Sequence, residues 1–115
     1  AARLVIVCKF GGTSVADAAA IGRVIDIIAA KLDRQPVVVV SALGGATNQL
    51  LDVAHKASQG ELLAAVQIIE QLRERHLREA AALLSGAPDA DEVAHEIGVT
   101  FDELAHLAEA FRTLG

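Results

Sequence analysis

The sequence predicts an α/β fold that begins with a βαβ unit and continues as helices. Two short aliphatic runs, Leu4–Cys8 and Val37–Val40, lie on either side of a segment with helical periodicity. Neither run alternates with polar residues, which is typical of parallel strands that are buried on both faces. Beyond Gly60, apolar residues recur only at helical spacing. We therefore expect one strand–helix–strand unit followed by a helical segment.

The segment between the two runs has the features of a crossover helix. Ser14 stands three residues before Asp17, and this spacing predicts that Ser14 caps the helix. We expect the helix to end near Asp33. Its apolar face is formed by Ile21, Val24, Ile25, Ile28 and Leu32. Pro36 stands only at the start of the second run, a position that a strand tolerates.

Helices account for the remainder of the chain. Thr47 is predicted to cap a helix that runs to about Ser58 and ends at Gly60. A long helix follows, with Glu74 and Arg78 paired on one side. Its apolar face is formed by Leu62, Val66, Ile69, Leu72, His76, Leu77, Ala80 and Leu84.

Two shorter helices are predicted at the end of the chain. A break after the long helix is expected at Gly86, where the helical pattern stops. A short helix over residues 89–97 should then end at Gly98, because glycine favours the end of a helix. Thr100 begins a capping box for a last helix.

The chain is predicted to be an incomplete domain. Its 115 residues divide into a βαβ part with two glycine-rich loops, residues 1–48, and a helical segment, residues 49–115. Sheets usually carry about four to six strands, whereas the sequence predicts two. We therefore expect further strands from a longer protein, of which this chain would be the N-terminal part.

Composition excludes several classes of protein. Hydrophobic residues make up 53% of the chain and charged residues 22%, which is too apolar for disorder and too interrupted by charge for a membrane-spanning helix. The net charge of −5 and the three Phe offer neither the basic surface nor the stacking platform of a nucleic-acid binder. Cys8 is the only cysteine, which excludes an internal disulfide, so we expect a soluble protein of the reducing cytoplasm.

The first glycine-rich loop, KFGGTS at residues 9–14, follows the first predicted strand. Its spacing matches neither the Walker phosphate loop nor the dinucleotide-binding loop. Glycines nevertheless allow backbone N–H groups to approach an anion, the next helix N-terminus favours negative charge, and Lys9 adds a full positive charge. The loop is therefore either a phosphate site or an ordinary turn with Lys9 in solvent.

The second glycine-rich loop, SALGGATN at residues 41–48, follows the second predicted strand. The two strands of a βαβ unit end at the same edge of the sheet, where ligands bind in open α/β folds. Ser41, Thr47 and Asn48 bring hydroxyl and amide groups, and Gly44 and Gly45 bring bare backbone, as a site for a small polar substrate requires. Taken alone, Thr47 could be only a cap and Ser41 only a strand end, but the convergence of two such loops favours a ligand site.

The sequence KFGGTSV at residues 9–15, followed by VVVVSALGGATNQLL at residues 37–51, resembles the aspartokinases. The resemblance covers the whole chain in order and is strongest through Asn48. It implies the N-terminal part of an amino-acid kinase domain, with a carbamate kinase-like parallel sheet and the helical segment of the longer aspartokinases. Acetylglutamate, glutamate 5- and uridylate kinases share the Lys-x-Gly-Gly pattern without the Thr-Ser-Val continuation.

The resemblance implies an enzyme that phosphorylates the side-chain carboxylate of L-aspartate with ATP and Mg²⁺, in a homo-oligomeric parent protein. Lys9 would neutralise charge on the transferring phosphoryl group and would be the catalytic residue. The nucleotide-binding residues in this chain would be Lys9, Gly11, Gly12 and Ser14. No Mg²⁺ ligand is expected in this chain.

The same resemblance implies that aspartate is held by Ser41, Thr47 and Asn48. The family's Ser-x-Gly-Glu segment, substrate-binding Arg, catalytic Asp and nucleotide-binding half do not occur before Gly115. We therefore expect this chain to be inactive by itself.

Two E-x-x-H motifs, Glu92 to His95 and Glu103 to His106, have a spacing found in the ligand sets of di-iron helical bundles. The copies lie 11 residues apart, too close for two facing helices that hold two metals. We predict that they are solvated helix faces and that the chain holds no metal.

Two alternatives to an aspartokinase remain open from the residues. One is a non-enzymatic anion-binding or helical interaction module that uses the βαβ turn. The other is an amino-acid kinase with a different substrate.

Overall fold

The computed structural model describes residues 4–114, with side chains as far as Phe111. Two compact units, Ala1–Gly45 and Ala46–Gly115, make up the chain. The elements are β1 (Val7–Phe10), α1 (Ala18–Ala29), β2 (Val37–Val40), α2 (Ala46–Ser58), α3 (Leu62–Leu83) and α4 (Ala90–Leu114). The first unit holds β1, α1 and β2, and the second holds the three remaining helices.

The first unit confirms the predicted βαβ unit. β1 and β2 pair in parallel, and the register runs from Val7 opposite Val37 to Phe10 opposite Val40. β2 has the bounds that the run of four valines predicts, because β-branched side chains favour the extended backbone. The mixed α/β class, with two strands followed by helices, is confirmed.

β1 lies further along the chain than the predicted run Leu4–Cys8. The Val37 N–H donates to the Ile6 carbonyl at 2.9 Å, and the Ser41 N–H donates to the Phe10 carbonyl at 3.0 Å. These bonds to the neighbouring strand decide where β1 begins and ends. Hydrophobicity alone predicts a strand that begins too early in the chain, because the pattern of apolar residues carries no information about where the partner strand β2 pairs.

The start of α1 differs from the predicted Ser14 cap. A 3-10 turn at Gly12–Val15 precedes the helix, and within it the Ser14 N–H donates to the Gly11 carbonyl at 3.0 Å. Asp17 has an extended backbone, and its carboxylate accepts the Ala20 N–H at 2.8 Å. The prediction for Ser14 was wrong because the 3-10 turn delays the helix and makes Asp17 the cap.

The end of α1 also comes before the predicted position near Asp33. The Lys31 N–H donates to the Ile28 carbonyl at 2.9 Å, a short-range bond that tightens the last turn. A second 3-10 turn at Leu32–Arg34 follows, and Gln35 takes a left-handed conformation with φ of 48° before β2.

The sheet has little cover in the described part of the chain. The valines of β2 are between 38% and 58% exposed, and the buried core of the unit consists of Val15, Ala20 and Val24. Burial of both strand faces, which the aliphatic runs predict, is therefore not found within residues 4–114. A two-stranded sheet with one helix cannot cover two apolar faces.

The second unit consists of three helices that pack against one another in all three pairings. Gly60 and Gly86 have positive φ angles of 79° and 78°, and they end α2 and α3 at the predicted places. The short connections make consecutive helices antiparallel neighbours. The core of this unit is formed by Ala46, Val53, Ala57, Ala65, Ile69, Leu72, Phe101 and Ala108.

Thr47 does not cap α2. The helix begins at Ala46, so that Thr47 lies inside the first turn and is exposed. The predicted cap was wrong because Gly45, with φ of 81°, turns the chain into the helix before Thr47 is reached.

α4 is one continuous helix, whereas the sequence predicts a break at Gly98. A glycine inside a helix costs about 1 kcal/mol relative to alanine. Here the Gly98 carbonyl accepts a hydrogen bond from Nη1 of Arg73 at 3.0 Å, which holds this turn against α3. Thr100 donates its hydroxyl to the Glu96 carbonyl at 2.9 Å instead of capping a new helix. Tertiary contacts therefore override the local signals for a break.

Arg73 connects α3 to α4 through several groups at once. Its Nη2 donates to the Asp102 carboxylate at 2.8 Å, and its guanidinium carbon lies 5.9 Å from the centre of the Phe101 ring. The Arg73 side chain is 18% exposed. The predicted pair of Glu74 with Arg78 is replaced by a pair of Arg78 with the adjacent Glu79, at 3.7 Å.

Replacing Arg73 with leucine should lower the free energy of opening of α3 and α4 by about 1–3 kcal/mol, because a charged donor to Gly98 and Asp102 is lost. Native-state hydrogen exchange of amides in these two helices measures this free energy. Arg78→Leu is the matched control, because the Arg78 side chain is 69% exposed, and it should change the value by no more than about 0.5 kcal/mol. Equal effects of the two substitutions would mean that the contacts of Arg73 do not stabilise the unit.

Candidate functional site

The first part of the candidate site is the end of β1. Along this strand Val7 and Lys9 are exposed, whereas Cys8 and Phe10 are half-buried. Phe10 lines a cavity together with residues of α1, so it lies on the α1 face of the sheet. Because side chains alternate along a strand, Lys9 projects from the opposite face. The ammonium group of Lys9 is thus available to a ligand on that face.

The two glycine-rich loops of the first unit meet at Gly12 and Gly44. A Cβ atom at Gly44 would lie 3.0 Å from the Gly12 carbonyl oxygen and 3.4 Å from Cβ of Ala16. A Cβ atom at Gly12 would lie 3.4 Å from Cα of Gly44 and 3.8 Å from Oγ of Ser41. The backbones approach this closely only because neither residue has a side chain. Gly12 and Ser41, which the sequence assigns to the nucleotide and to aspartate, are therefore brought together.

The sequence predicts Gly44 as bare backbone in the second loop, but it does not predict that Gly44 is the point of contact with the first loop. Its φ angle is not positive, so the turn itself does not require glycine at this position. The requirement comes from the neighbouring loop, through the short distance to Gly12. No local pattern could have found this, because the contact joins residues from two different turns.

The backbone of the first loop has donors for an anion. In a 3-10 turn that starts at Gly12, the first internal bond is the one from Ser14 to Gly11, at 3.0 Å. The N–H groups of Gly12 and Thr13 come before that bond and have no acceptor within the turn. Gly11 is exposed, and a Cβ atom there would meet nothing within 4 Å. This stretch is open to a ligand.

The N-terminus of α1 contributes less than the sequence predicts. The Asp17 carboxylate already accepts the Ala20 N–H at 2.8 Å and places a negative charge at the positive end of the helix. An anion held by this loop would therefore rely on the turn at Gly12–Val15 and on Lys9.

The remaining predicted site residues lie elsewhere. Ser14 lines the cavity on the α1 face, together with Phe10. Thr47 and Asn48 lie exposed in the first turn of α2, within the second compact unit. Their assignment to aspartate stays a prediction.

The E-x-x-H motifs occur on one helix, α4, with all four side chains exposed. Among the residues that the structure describes, no group of three or more His, Cys, Asp and Glu side chains is placed to hold a metal ion. Within residues 4–114, no helix is both long enough and apolar enough to span a bilayer.

The sequence profile of the Amino acid kinase family matches residues 4–111. The chain belongs to the amino acid kinase family. Within this family, the resemblance to aspartokinases is confirmed by the relatives that match it.

One relative is Aspartokinase 2, chloroplastic, of Arabidopsis thaliana, which is 41% identical over 84% of the chain. Another is the bifunctional aspartokinase/homoserine dehydrogenase 2 of Escherichia coli K12, 38% identical over 87% of the chain. Aspartokinase 3, chloroplastic, of Arabidopsis thaliana is 32% identical over 97% of the chain. The chain spans 15%, 12% and 18% of the length of these three proteins.

Proposed function

We propose that this amino acid kinase chain forms part of the active site of an aspartate kinase, which transfers the γ-phosphoryl group of ATP to L-aspartate. The observation that carries the proposal is the approach of the two glycine-rich loops at Gly12 and Gly44. Gly12 lies three residues beyond Lys9 in the chain. The names of the relatives support aspartate as the substrate.

The nucleotide phosphates are assigned to the first loop. The Gly12 N–H has no acceptor within its turn, Gly11 is exposed beside it as a further backbone donor for the nucleotide, and Lys9 offers an exposed positive charge on the face of the sheet away from α1. The donor set fits a phosphate, because it combines a cation with backbone that lacks side chains. Ser14 lines the cavity on the α1 side, which lends no support to the same role for Ser14, and its nucleotide contact stays a prediction. Mg²⁺ would come with ATP, and we assign it no ligand in this chain.

L-Aspartate is assigned to the second loop. Ser41 lies beside Gly12, so a substrate held by its hydroxyl would be close to the phosphate donors. Thr47 and Asn48 follow in the chain and offer a hydroxyl and an amide for the polar groups of the substrate.

The reaction needs positioning and charge stabilisation and no covalent intermediate with the protein. An oxygen of the aspartate β-carboxylate attacks the γ-phosphorus, and the bond from that phosphorus to the β–γ bridging oxygen breaks. ADP leaves with the electron pair of the broken bond, and the products are 4-phospho-L-aspartate and ADP. Lys9 would neutralise negative charge on the transferring group, while the two loops hold donor and acceptor in line.

This activity would be the first step of lysine, threonine and methionine biosynthesis. A cytoplasmic location agrees with the single cysteine, Cys8, and the Arabidopsis relatives are named as chloroplastic proteins. The parent protein is proposed to be a homo-oligomer.

The isolated chain of 115 residues should show no aspartate-dependent formation of ADP. The reason is that the family's amine-binding Glu, substrate-binding Arg and catalytic Asp lie outside it. A coupled ADP assay with and without L-aspartate, run beside the full-length protein, measures this. Aspartate-dependent turnover by the isolated chain would contradict the proposed division of the site, and an inactive full-length protein would contradict the aspartate kinase itself.

A further inference from the structure

A cavity of about 310 Å³ lies in the first compact unit between the 3-10 turn and α1. Its apolar wall is formed by Phe10 of β1 and by Ala20, Val24 and Ile27 of α1. This volume is at the lower end of the range for small-molecule sites. The cavity is therefore large enough for a ligand of a few carbon atoms.

Three polar side chains line the same cavity. Arg23 extends from α1, and Thr13 and Ser14 belong to the turn after β1. Within residues 4–114, Arg23 forms no ion pair and its side chain no hydrogen bond, and the same is true of the two hydroxyls. Three polar residues thus border one space, and no ion pair or side-chain hydrogen bond within the described residues occupies their side chains.

The cavity lies on the opposite side of the sheet from Lys9. Phe10 lines it, and the neighbouring Lys9 projects from the other face because side chains alternate along β1. A ligand in the cavity would therefore not occupy the proposed nucleotide site. It would contact the first glycine-rich loop on the side that faces α1, through Thr13 and Ser14.

The lining decides which ligand chemistry fits. Arg23 supplies one positive charge and a planar fork of donors that matches a carboxylate. A phosphate monoester carries close to two negative charges, of which Arg23 would neutralise only one. The wall of Phe10, Val24 and Ile27 needs a hydrocarbon body to displace its water. We propose that this cavity is a second ligand site, which binds a small monocarboxylate with an aliphatic body between Arg23 and the turn at Thr13 and Ser14.

Calorimetric titration of the full-length protein with 4-methylpentanoate tests the site. Saturable binding is expected, together with slower amide hydrogen exchange in residues 10–27. Arg23→Gln should weaken binding by at least about 10-fold, since a charge-assisted contact is lost. Arg23 is exposed, so this substitution should not unfold the unit. Lys9→Ala should leave the affinity unchanged, because Lys9 lies on the other face.

Arg34→Gln is the matched control, since Arg34 is exposed in the same unit and does not line the cavity. An equal loss of affinity in Arg34→Gln would mean that binding reflects only the general charge of the unit, and it would overturn the site. Absence of saturable binding would overturn it as well. Equally tight binding of the uncharged 4-methylpentanamide, or of inorganic phosphate, would overturn the assigned ligand class. These results do not depend on kinase activity, so the site and the proposed function can fail separately.

Discussion

Lys9→Ala in the full-length protein should lower kcat for aspartate phosphorylation by about 100- to 1000-fold, which is the usual cost of removing one preorganised donor to developing charge. The KM for aspartate should change far less, because Lys9 is assigned to the transferring phosphate rather than to the amino acid. Steady-state kinetics with a coupled ADP assay separate the two parameters.

Lys31→Ala is the control for Lys9→Ala. Lys31 follows α1 in the same unit, outside both glycine-rich loops, and it should leave kcat unchanged. A large rise in KM with an unchanged kcat in Lys9→Ala would make Lys9 a substrate-binding residue. Unchanged kinetics would remove Lys9 from the site.

Gly44→Val should lower kcat by about 10- to 100-fold, because displacement of reacting groups by about 1 Å costs up to about 100-fold in rate. The new Cβ atom would lie 3.0 Å from the Gly12 carbonyl oxygen. The two methyl groups of valine add further steric overlap, which would push the two loops apart. The loop that carries Gly11 and Gly12 would move away from Ser41. The same coupled assay, at saturating ATP and aspartate, measures the change.

A graded series tests the cause of the Gly44→Val effect. Gly44→Ala should cost less than Gly44→Val, because a methyl group requires a shift of only a few tenths of an ångström. Gly22→Val is the matched control, since a Cβ atom at Gly22 in α1 meets nothing within 4 Å. If Gly44→Val were as active as Gly22→Val, the contact between the two loops would have no part in catalysis.

Much of the candidate site follows from the chain order of strands and loops. Lys9, Gly12 and Ser41 could be predicted to lie near one sheet edge, because parallel strands joined by a crossover end on the same side. The structure confirms the parallel pairing and brings Gly12 to Ser41. The contact of Gly44 with Gly12 and the cavity at Arg23 could not be predicted, since both depend on how separate segments approach in space.

The errors in the secondary-structure predictions have two origins. Serine is a residue type that often caps helices, but the 3-10 turn at Ser14 delays the helix, and Asp17 is the cap. Glycine is a residue type that often ends helices, but Arg73 donates a hydrogen bond to the Gly98 carbonyl and α4 continues past Gly98. At Gly98 a local preference of about 1 kcal/mol was outweighed by a contact from another helix, whereas at Ser14 the bonds that displace the cap are themselves local.

The α/β class, the parallel βαβ unit, the bounds of β2 and the family can all be predicted from the sequence without the structure. These depend on side-chain period, β-branching and glycine position, which are local properties of the chain. The tertiary structure alone decided the extent of β1, the continuity of α4, the contact of Gly12 with Gly44 and the face from which Lys9 projects. Those features depend on partners distant in the sequence, whose hydrogen bonds and steric limits exist only after the chain has folded.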